Sequence, residues 1–223
     1  MRAMILAAGY GKRLRPLTER VPKVLVPVRG KPLIVYHLER LAEAGINDVV
    51  INTAWLGKEI ENSLGDGSRF GVNILWSREA TPLETGGGIK RALPLLGDTP
   101  FVLISGDIWT DFPFEVLAKY KLNEVLAHLI LVANPEHHAS GDYCLGESGL
   151  VRPRPEASQG FTYSGLSVVD PALFSQFPVA AHTFPLREIL DPAIESARIS
   201  GEIYRGSWSD VGTMARLRAL NNV

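Results

Sequence analysis

A glycine-rich loop that follows a short apolar segment near the start of the chain constrains the fold most. Residues 3–7 are apolar and predict a buried strand, and Gly9 and Gly11 follow at once, with Lys12 and Arg13 behind them. Two glycines allow the backbone to turn sharply and to bring its N–H groups close to an anion. The sequence therefore predicts a phosphate-binding loop at the end of the first strand of an α/β sheet.

Two common phosphate-binding loops do not match this segment. A dinucleotide-binding loop needs a third glycine, and Leu14 stands in its place. A Walker loop needs a glycine and a lysine followed by serine or threonine, and no glycine–lysine pair of this chain is followed by either residue. The loop thus belongs to another class of phosphate-binding site.

Short apolar runs alternate with helical patterns through the first 125 residues. The predicted strands are 3–7, 48–52, 73–76 and 101–105, and the predicted helices are 33–44, 56–64 and 87–95. This alternation is typical of a doubly wound, mostly parallel sheet. In such a sheet a ligand binds at the carboxyl ends of the strands, where the glycine loop lies.

The pattern changes after about residue 125 and predicts a mixed or antiparallel extension of the same sheet. The predicted strands are 127–133, 143–145, 150–152, 161–169 and 202–205, and the predicted helices are 186–197 and 214–221. Residues 152–160 contain two prolines and a glycine, and predict a mobile loop. We expect a single domain over residues 1–223.

The composition argues against several classes of partner. The net charge is -1 and 21% of the residues are charged, which gives no reason to expect a nucleic acid or an anionic membrane. The chain has one cysteine, Cys144, so no internal disulfide can form. A reducing, cytoplasmic compartment is therefore expected. No apolar run is long enough to predict a membrane span.

Four segments, in the same order, resemble motifs of the sugar-1-phosphate nucleotidyltransferases. They are the loop at residues 9–18 and the segments 22–28, 105–111 and 208–213. The chain departs from the family at Lys12, where threonine or serine is usual, and at Val24, where proline is more frequent. The resemblance implies a Rossmann-like nucleotide-diphospho-sugar transferase fold. It also implies transfer of a nucleoside monophosphate to a sugar 1-phosphate with release of pyrophosphate.

The resemblance implies that residues 1–125 form the nucleotide-binding half. Arg13, Lys23 and Asp107 would be catalytic, since a guanidinium and an ammonium can bring two phosphates together. Glu84 would read the edge of the base, either uracil or thymine or guanine, or would instead face the sugar. The implied nucleotide-binding residues are Ala7, Ala8, Gly9, Gly11, Lys12, Arg13, Lys23, Glu84, Gly86, Gly87 and Ser105.

Two aspartates in the resembling segments point to a divalent metal. Asp107 and Asp210 are each expected at a strand end beside a glycine, and would hold Mg²⁺ together with substrate phosphates and water. The alternative for each is a cap of a turn or helix. Asp111, just before Phe112 and Pro113, is better explained as a cap than as a third acid.

Residues 126–223 would form the sugar-binding half and complete the metal site. By position in the family, the residues bordering the sugar are Asn134, Asp142, Gly165 and Glu202. The adjacent His137 and His138 have no second cluster of ligands nearby in the sequence, and we interpret them as part of a polar loop.

Within the family, the segments 83–88, 134–138, 141–142 and 201–206 look most like the uridylyltransferases that act on N-acetylmuramic acid α-1-phosphate in cell-wall recycling. This implies UTP and that sugar 1-phosphate as partners, in a monomer or weak homodimer. The alternatives are a mannose-1-phosphate guanylyltransferase and a non-catalytic subunit that binds nucleotide sugars.

Overall fold

The structure is a computed structural model and describes residues 1–222. Its strands are β1 (Ala3–Leu6), β2 (Pro27–Val28), β3 (Lys31–Pro32), β4 (Asp48–Thr53), β5 (Asn73–Arg78), β6 (Phe101–Ser105), β7 (Ile108–Thr110), β8 (Ala127–Val132), β9 (Tyr143–Leu145), β10 (Val151–Pro153), β11 (Thr162–Val169), β12 (Ile199–Tyr204) and β13 (Trp208–Asp210). Its α-helices are α1 (Leu33–Glu43), α2 (Gly57–Leu64), α3 (Glu84–Leu96), α4 (Phe114–Lys119), α5 (Ala172–Gln176), α6 (Arg187–Glu195) and α7 (Met214–Asn221).

A seven-stranded sheet with the order β12-β8-β11-β6-β1-β4-β5 forms the centre of the protein. Strands β6, β1, β4 and β5 are parallel neighbours, and β8 and β12 are parallel to each other. Strand β11 runs antiparallel to both β6 and β8. From β1 the chain continues to β4 on one side, whereas from β6 it continues toward β8 on the other side. The boundary between β1 and β6 is therefore the switch point, where open α/β sheets bind their ligands.

Helices cover both faces of the sheet because its central strands are apolar on both sides. In β1, Ile5 packs with α1, α2 and α4 on one face, whereas Met4 packs with α3, α5 and α6 on the other. Strands buried on both faces lack the polar alternation of a solvent-facing sheet. The predicted fold, a Rossmann-like, mixed and mostly parallel sheet in one domain, is confirmed.

A smaller apolar cluster fixes the glycine loop in place. Leu14 and Val26, from the segments that follow β1, pack against Val211, Leu217 and Leu220 near and within α7. The last helix therefore anchors the segment that the sequence identifies as the phosphate-binding loop.

Most predicted elements agree with the structure to within a residue or two, two differ in ways that matter, and the pair of β7 and β13 is not predicted from the sequence. Helix α3 begins at Glu84 instead of residue 87, so its glycines lie inside the helix. Strand β12 begins at Ile199 instead of residue 202, because it extends along the whole of β8. The pairing of β7 with β13 has no local signal, since each strand has three residues.

Candidate active site

The first cavity, of about 210 Å³, opens over the carboxyl ends of β1, β4 and β6. Its wall contains seven of the predicted nucleotide-binding residues, namely Ala7, Ala8, Gly9, Gly11, Lys23, Glu84 and Ser105. The other lining residues are Leu6, Val24, Asn52, Pro82, Thr85 and Asp107. All of them lie between residues 6 and 107, within the first half of the chain.

Gly11 shapes the loop on the rim of this cavity. Its φ of 63° lies in the left-handed region that favours glycine, and a Cβ there would lie 2.9 Å from the Thr18 Cγ2 atom. The Thr18 hydroxyl donates a hydrogen bond to the Gly11 carbonyl at 2.8 Å. A side chain at position 11 would therefore disturb both the turn and the contact that closes it.

A buried amide fixes the floor of the first cavity. The Asn52 side chain, 2% exposed, accepts a hydrogen bond from the Ala7 N–H at 2.8 Å and donates one to Glu79 Oε1 at 2.7 Å. Glu79 Oε2 in turn accepts the Leu83 N–H at 2.9 Å. The loop after β1 and the segment before α3 are thus held by one hydrogen-bonded chain of side chains.

The three glycines of α3 serve packing in this structure. A Cβ on Gly86 would overlap the Phe184 ring, and one on Gly87 would overlap the His182 carbonyl. The Gly87 N–H already donates to the Phe184 carbonyl at 3.1 Å. A Cβ on Gly88 would lie 2.7 Å from the Asn52 Nδ2 atom. The structure therefore places Gly86 and Gly87 behind the wall of the first cavity.

The second cavity, of about 510 Å³, adjoins the first and shares Leu6, Thr85, Ser105 and Asp107 with it. Most of its wall comes from the second half of the chain. The remaining lining residues are Arg13, Leu103, Ile108, Pro135, His137, His138, Asp142, Tyr143, Thr162, Tyr163, Ser164, Gly165, Pro185, Leu186, Arg187, Leu190, Trp208 and Asp210. Two compartments thus meet at Ser105 and Asp107.

The ion pair between Lys23 and Asp107 stands at this junction. The Lys23 ammonium contacts Asp107 Oδ2, and the lysine side chain is 14% exposed against 36% for the aspartate. Strand β7 follows Asp107 directly and pairs with β13, which places Ile108 opposite Asp210. The Val211 N–H donates to the Asp107 carbonyl at 2.7 Å. The two predicted metal ligands are therefore brought to one cavity by a short antiparallel pair.

Asp210 has cationic and imidazole neighbours of its own. Arg216 Nη1 donates to both of its carboxylate oxygens, at 2.6 and 2.7 Å, and His137 Nε2 lies 3.3 Å from Oδ1. The Thr213 hydroxyl accepts the Arg216 N–H at 3.3 Å and caps α7, which fixes the arginine above Asp210. A Cβ on Gly212 would lie 2.7 Å from Asp210 Oδ2, so the glycine leaves room for the pair.

A third cavity, of about 180 Å³, concentrates the positive charge of the glycine loop. It is lined by Gly11, Lys12, Arg13, Lys23 and Gly212. Arg13 also lines the second cavity, and Lys23 also lines the first. Three cations around one small cavity are suited to a polyphosphate chain.

The four predicted sugar-side residues separate into two groups. Asp142 and Gly165 line the second cavity. Asn134 does not, and its amide donates to the carbonyls of Ala139 and Gly160 at 3.0 and 2.9 Å. Glu202 lies outside the cavity too.

Each of these positions has a local cause. Asp142 accepts hydrogen bonds from His138 Nε2 at 3.0 Å and from the Tyr163 N–H at 2.9 Å. Gly165 lies in the irregular part of β11, where its φ is 83° and a Cβ would lie 2.6 Å from the Ser105 Oγ atom. Glu202 is on the opposite sheet face, 4.0 Å from the buried His128.

Burial keeps the aromatic hydroxyls of the second cavity protonated. Burial, followed by the nearby charge of Asp191, raises the pKa of Tyr143 far above its usual range, and its hydroxyl donates to Asp191 Oδ1 at 2.9 Å. Burial likewise raises the pKa of Tyr163 to about 12. Both side chains therefore act as hydrogen-bonding groups of the wall, and neither is suited to accept a proton near neutral pH.

A family model for nucleotidyl transferases matches residues 2–223. The chain belongs to this family. It is 47% identical over 222 residues to N-acetylmuramate alpha-1-phosphate uridylyltransferase of Neisseria meningitidis serogroup B, covering 98% of this chain and 96% of that protein. The predicted family, the sugar-1-phosphate nucleotidyltransferases, is confirmed, and with it the prediction that the protein is an enzyme.

Other relatives of the nucleotidyltransferase are more distant. The catalytic subunit beta of mannose-1-phosphate guanylyltransferase from Xenopus tropicalis is 30% identical over 221 residues, covering 95% of this chain and 61% of that protein. A solved structure of a putative glucose-1-phosphate thymidylyltransferase from Bacillus anthracis, in complex with a sucrose, is 21% identical with a TM-score of 0.89. It covers 100% of this chain and 94% of that chain, and shows that the fold is shared.

The carboxylates of the nucleotidyltransferase fit a divalent metal that takes other ligands from its substrates. Within residues 1–222, no group of three or more histidine, cysteine, aspartate or glutamate side chains is placed to hold a metal ion by itself. Asp107 and Asp210 nevertheless line one cavity. Mg²⁺ is typically held by one or two carboxylates together with phosphates and water, so this donor set is appropriate.

Several residues of the site are not predicted by the sequence motifs. For Asn52 a signal exists, because it lies at the carboxyl end of a predicted strand, where binding residues are common. Arg216 and Arg187 lie in helices and Glu79 directly follows β5, and only their tertiary contacts mark them out. Along the part of the chain that the structure describes, no helix is both long enough and apolar enough to cross a membrane.

Proposed function

We propose that the nucleotidyltransferase transfers UMP from UTP to N-acetylmuramic acid α-1-phosphate, with pyrophosphate as the second product. The observation that carries this proposal is the 47% identity to the uridylyltransferase of Neisseria meningitidis over 98% of the chain. The guanylyltransferase relative is 30% identical. By analogy with the first relative, the product would serve the recycling of peptidoglycan.

The two adjoining cavities support this assignment of substrates. UTP would lie with its base and ribose in the first cavity, and the sugar would lie in the second. An oxygen of the sugar phosphate attacks the α-phosphorus, and the bond from that phosphorus to the bridging oxygen of the β-phosphate breaks. The electron pair leaves with pyrophosphate. A phosphate oxygen is already a nucleophile, so no general base is required.

Lys23 and Arg13 would neutralise the phosphates in this step. Lys23 lines both the first and the third cavity and contacts Asp107 at the junction. Its charge would lie between the α-phosphate and the incoming sugar phosphate, where it reduces their repulsion. Arg13 lines the second and third cavities, and its guanidinium can bind two oxygens of the leaving pyrophosphate.

Asp107 and Asp210 would hold Mg²⁺. A bound magnesium ion supplies positive charge that stabilises the transition state and the leaving group. Each aspartate already contacts a cation, Asp107 through Lys23 and Asp210 through Arg216. Positive charge is therefore already present beside each proposed metal ligand.

The uracil specificity would come from the segment around Glu84 and from the backbone after β1. Glu84 lines the first cavity and adopts a φ of 60°, which is unusual for a residue with a side chain. Asn52 fixes the Ala7 backbone in the same wall. Glu84 can accept the N3–H of uracil or the N1–H of guanine, so the base must be identified by experiment.

Two further features complete the proposal. The enzyme would act as a monomer or weak homodimer, as the resemblance to the family implies. The reaction would take place in the cytoplasm, and the single free cysteine, Cys144, supports a reducing compartment.

Pyrophosphate release in the presence of Mg²⁺ tests the function. UTP, dTTP, GTP, CTP and ATP are each combined with the 1-phosphates of N-acetylmuramic acid, N-acetylglucosamine, glucose and mannose. We expect turnover to be fastest with UTP and N-acetylmuramic acid 1-phosphate. A preference for GTP and mannose 1-phosphate would replace the proposal by a guanylyltransferase. Binding of nucleotide sugars without any turnover would indicate a regulatory subunit.

A further inference from the structure

The second cavity carries cationic groups at two separate places. Arg13 lies where this cavity meets the third cavity and its phosphate-binding cations. Arg187, in the first turn of α6, lies where the second cavity adjoins a fourth cavity of about 100 Å³ that includes Tyr143, Arg154 and Asp191. The phosphate chemistry already described uses Arg13 and leaves Arg187 without a role.

The guanidinium of Arg187 is oriented by its neighbours and keeps two donors available. Its Nε atom donates to Asp191 Oδ2 at 3.0 Å, and the Tyr143 hydroxyl donates to Oδ1 of the same carboxylate. The guanidinium carbon lies 5.8 Å from the centre of the Tyr143 ring. Within residues 1–222, no acceptor is hydrogen-bonded to the two terminal nitrogens of Arg187.

The acceptor of the proposed function differs from other amino sugar phosphates in one charged group. N-Acetylmuramic acid is N-acetylglucosamine with a lactyl ether at O3, and that ether ends in a carboxylate. Two terminal guanidinium nitrogens match the two oxygens of a carboxylate in a bidentate contact. We propose that Arg187 binds the lactyl carboxylate and so selects this sugar 1-phosphate, an inference that rests on the proposed function.

The surroundings of Arg187 are suited to the rest of the lactyl group. Leu186 and Leu190, from the same end of α6, line the second cavity, and so does the ring of Tyr143. Leu190 and Tyr143 are 2% and 4% exposed. The methyl group of a lactyl ether would be buried against this apolar wall while its carboxylate reached the arginine.

The start of α6 is held firmly against the nucleotide-binding half. The Leu186 N–H donates to the Thr85 hydroxyl at 2.7 Å, and the Phe184 N–H donates to the Leu83 carbonyl at 3.2 Å. Thr85 lines both the first and the second cavity. Arg187 follows the first of these contacts by one residue, so its backbone is fixed relative to the wall that the two cavities share.

The test compares two acceptors in each of four proteins. Wild type, Arg187→Gln and Arg187→Lys are assayed with UTP and either N-acetylmuramic acid 1-phosphate or N-acetylglucosamine 1-phosphate. Arg152→Gln is the matched control, because Arg152 is an exposed arginine that lines neither cavity. Thermal unfolding of each variant accompanies the assay.

Loss of a charged, bidentate contact should raise KM for N-acetylmuramic acid 1-phosphate about 10- to 100-fold in Arg187→Gln. The value of kcat should change little, since Arg187 is remote from the reacting phosphorus. KM for N-acetylglucosamine 1-phosphate should stay within about twofold, since that sugar has no carboxylate. Arg187→Lys should recover part of the loss, because it keeps the charge without the planar pair of donors.

The outcomes separate the inference from the proposed function. If wild type uses N-acetylmuramic acid 1-phosphate and Arg187→Gln loses both acceptors equally, or neither, the carboxylate site is wrong and the function stands. If wild type does not use this acceptor at all, the function and the carboxylate site are both wrong. Only a loss restricted to the carboxylate-bearing sugar supports the inference.

Discussion

The first and second cavities are built from different kinds of structure. The first cavity lies over parallel strands and is lined by residues 6–107, which come from successive β-α units. The second cavity is walled largely by the antiparallel β11, by the loop at residues 134–142 and by the start of α6. Local motifs therefore account for most of the first cavity, whereas long-range packing assembles the second.

Replacing Asp107 by alanine should have the largest effect. Asp107 is common to both cavities and pairs with Lys23, so its loss removes a proposed metal ligand and leaves the lysine without its partner. We expect kcat to fall at least about 1,000-fold in steady-state pyrophosphate assays. Asp98→Ala, at an exposed position, is the control. Unchanged turnover in Asp107→Ala would contradict the metal assignment.

Replacing Lys23 by alanine should separate chemistry from nucleotide binding. The lysine lies at the junction of the cavities, and the backbone and Asn52 that shape the first cavity remain in place. We expect kcat to fall on the order of 100-fold, with a change of less than about tenfold in the Kd for UTP. Lys121→Ala, an exposed lysine far along the chain, should match wild type. Weaker nucleotide binding at normal kcat would show that Lys23 contributes to nucleotide binding and not to the chemical step.

Acid should destabilise both halves of the protein through buried histidines, because burial also lowers the pKa of His37, in α1 of the first half, to about 4. His128, in β8, is 4% exposed, and burial lowers its pKa from 6.5 to about 4. The unfolded chain therefore binds more protons between these pH values, and stability falls as the pH drops from 6.5 toward 4. From pH 7.5 to pH 5 we expect each of the two histidines to contribute a loss on the order of 2 kcal/mol in the free energy of unfolding, measured with urea.

His128→Phe should remove the contribution of His128 and leave that of His37, since it keeps an aromatic ring against Tyr120 and removes one titrating group. His182→Ala removes an exposed histidine and is the control. A pH dependence that survives unchanged in His128→Phe would assign the acid sensitivity to other groups.

A variant at Asn134 should show whether this side chain contacts the sugar or stabilises the loop. Its side chain donates to two loop carbonyls and accepts from the Thr162 hydroxyl at 2.9 Å. Asn134→Ala should therefore raise KM for the sugar 1-phosphate about tenfold and also destabilise the protein by roughly 1–3 kcal/mol. KM for UTP should not change. A rise in KM at wild-type thermal stability would instead favour the direct contact that the sequence predicts.

Glu202→Gln should have the smallest effect of the series. The structure places Glu202 outside the second cavity, although its position in the family predicts a contact with the sugar. We expect kcat/KM for both substrates within about twofold of wild type. Asp142→Asn, which alters an acid that does line the cavity, provides the comparison. A tenfold loss in Glu202→Gln would restore the sequence-based assignment.

The sequence predicts the residues of the first cavity better than those of the second cavity. Gly9 lies between a predicted strand and a basic segment, and Asp107 follows another predicted strand. Each of these two segments is continuous in sequence and can be recognised as a motif. Asn52 and Glu79 contact each other only because β4 and β5 are neighbours in the sheet. Gly86 and Gly87 look like a ligand-binding helix start, yet the chain near Phe184 covers them.

The sequence by itself determined the fold class, the family and the residues of the glycine loop, because hydrophobic periodicity and compact motifs are local properties of the chain. Only the tertiary structure decided that Asp210 meets Arg216, that Glu202 faces away from the cavity and that Arg187 reaches its far end. Those facts depend on strand order and on helix packing between distant segments. No local pattern encodes which side chains such segments bring together.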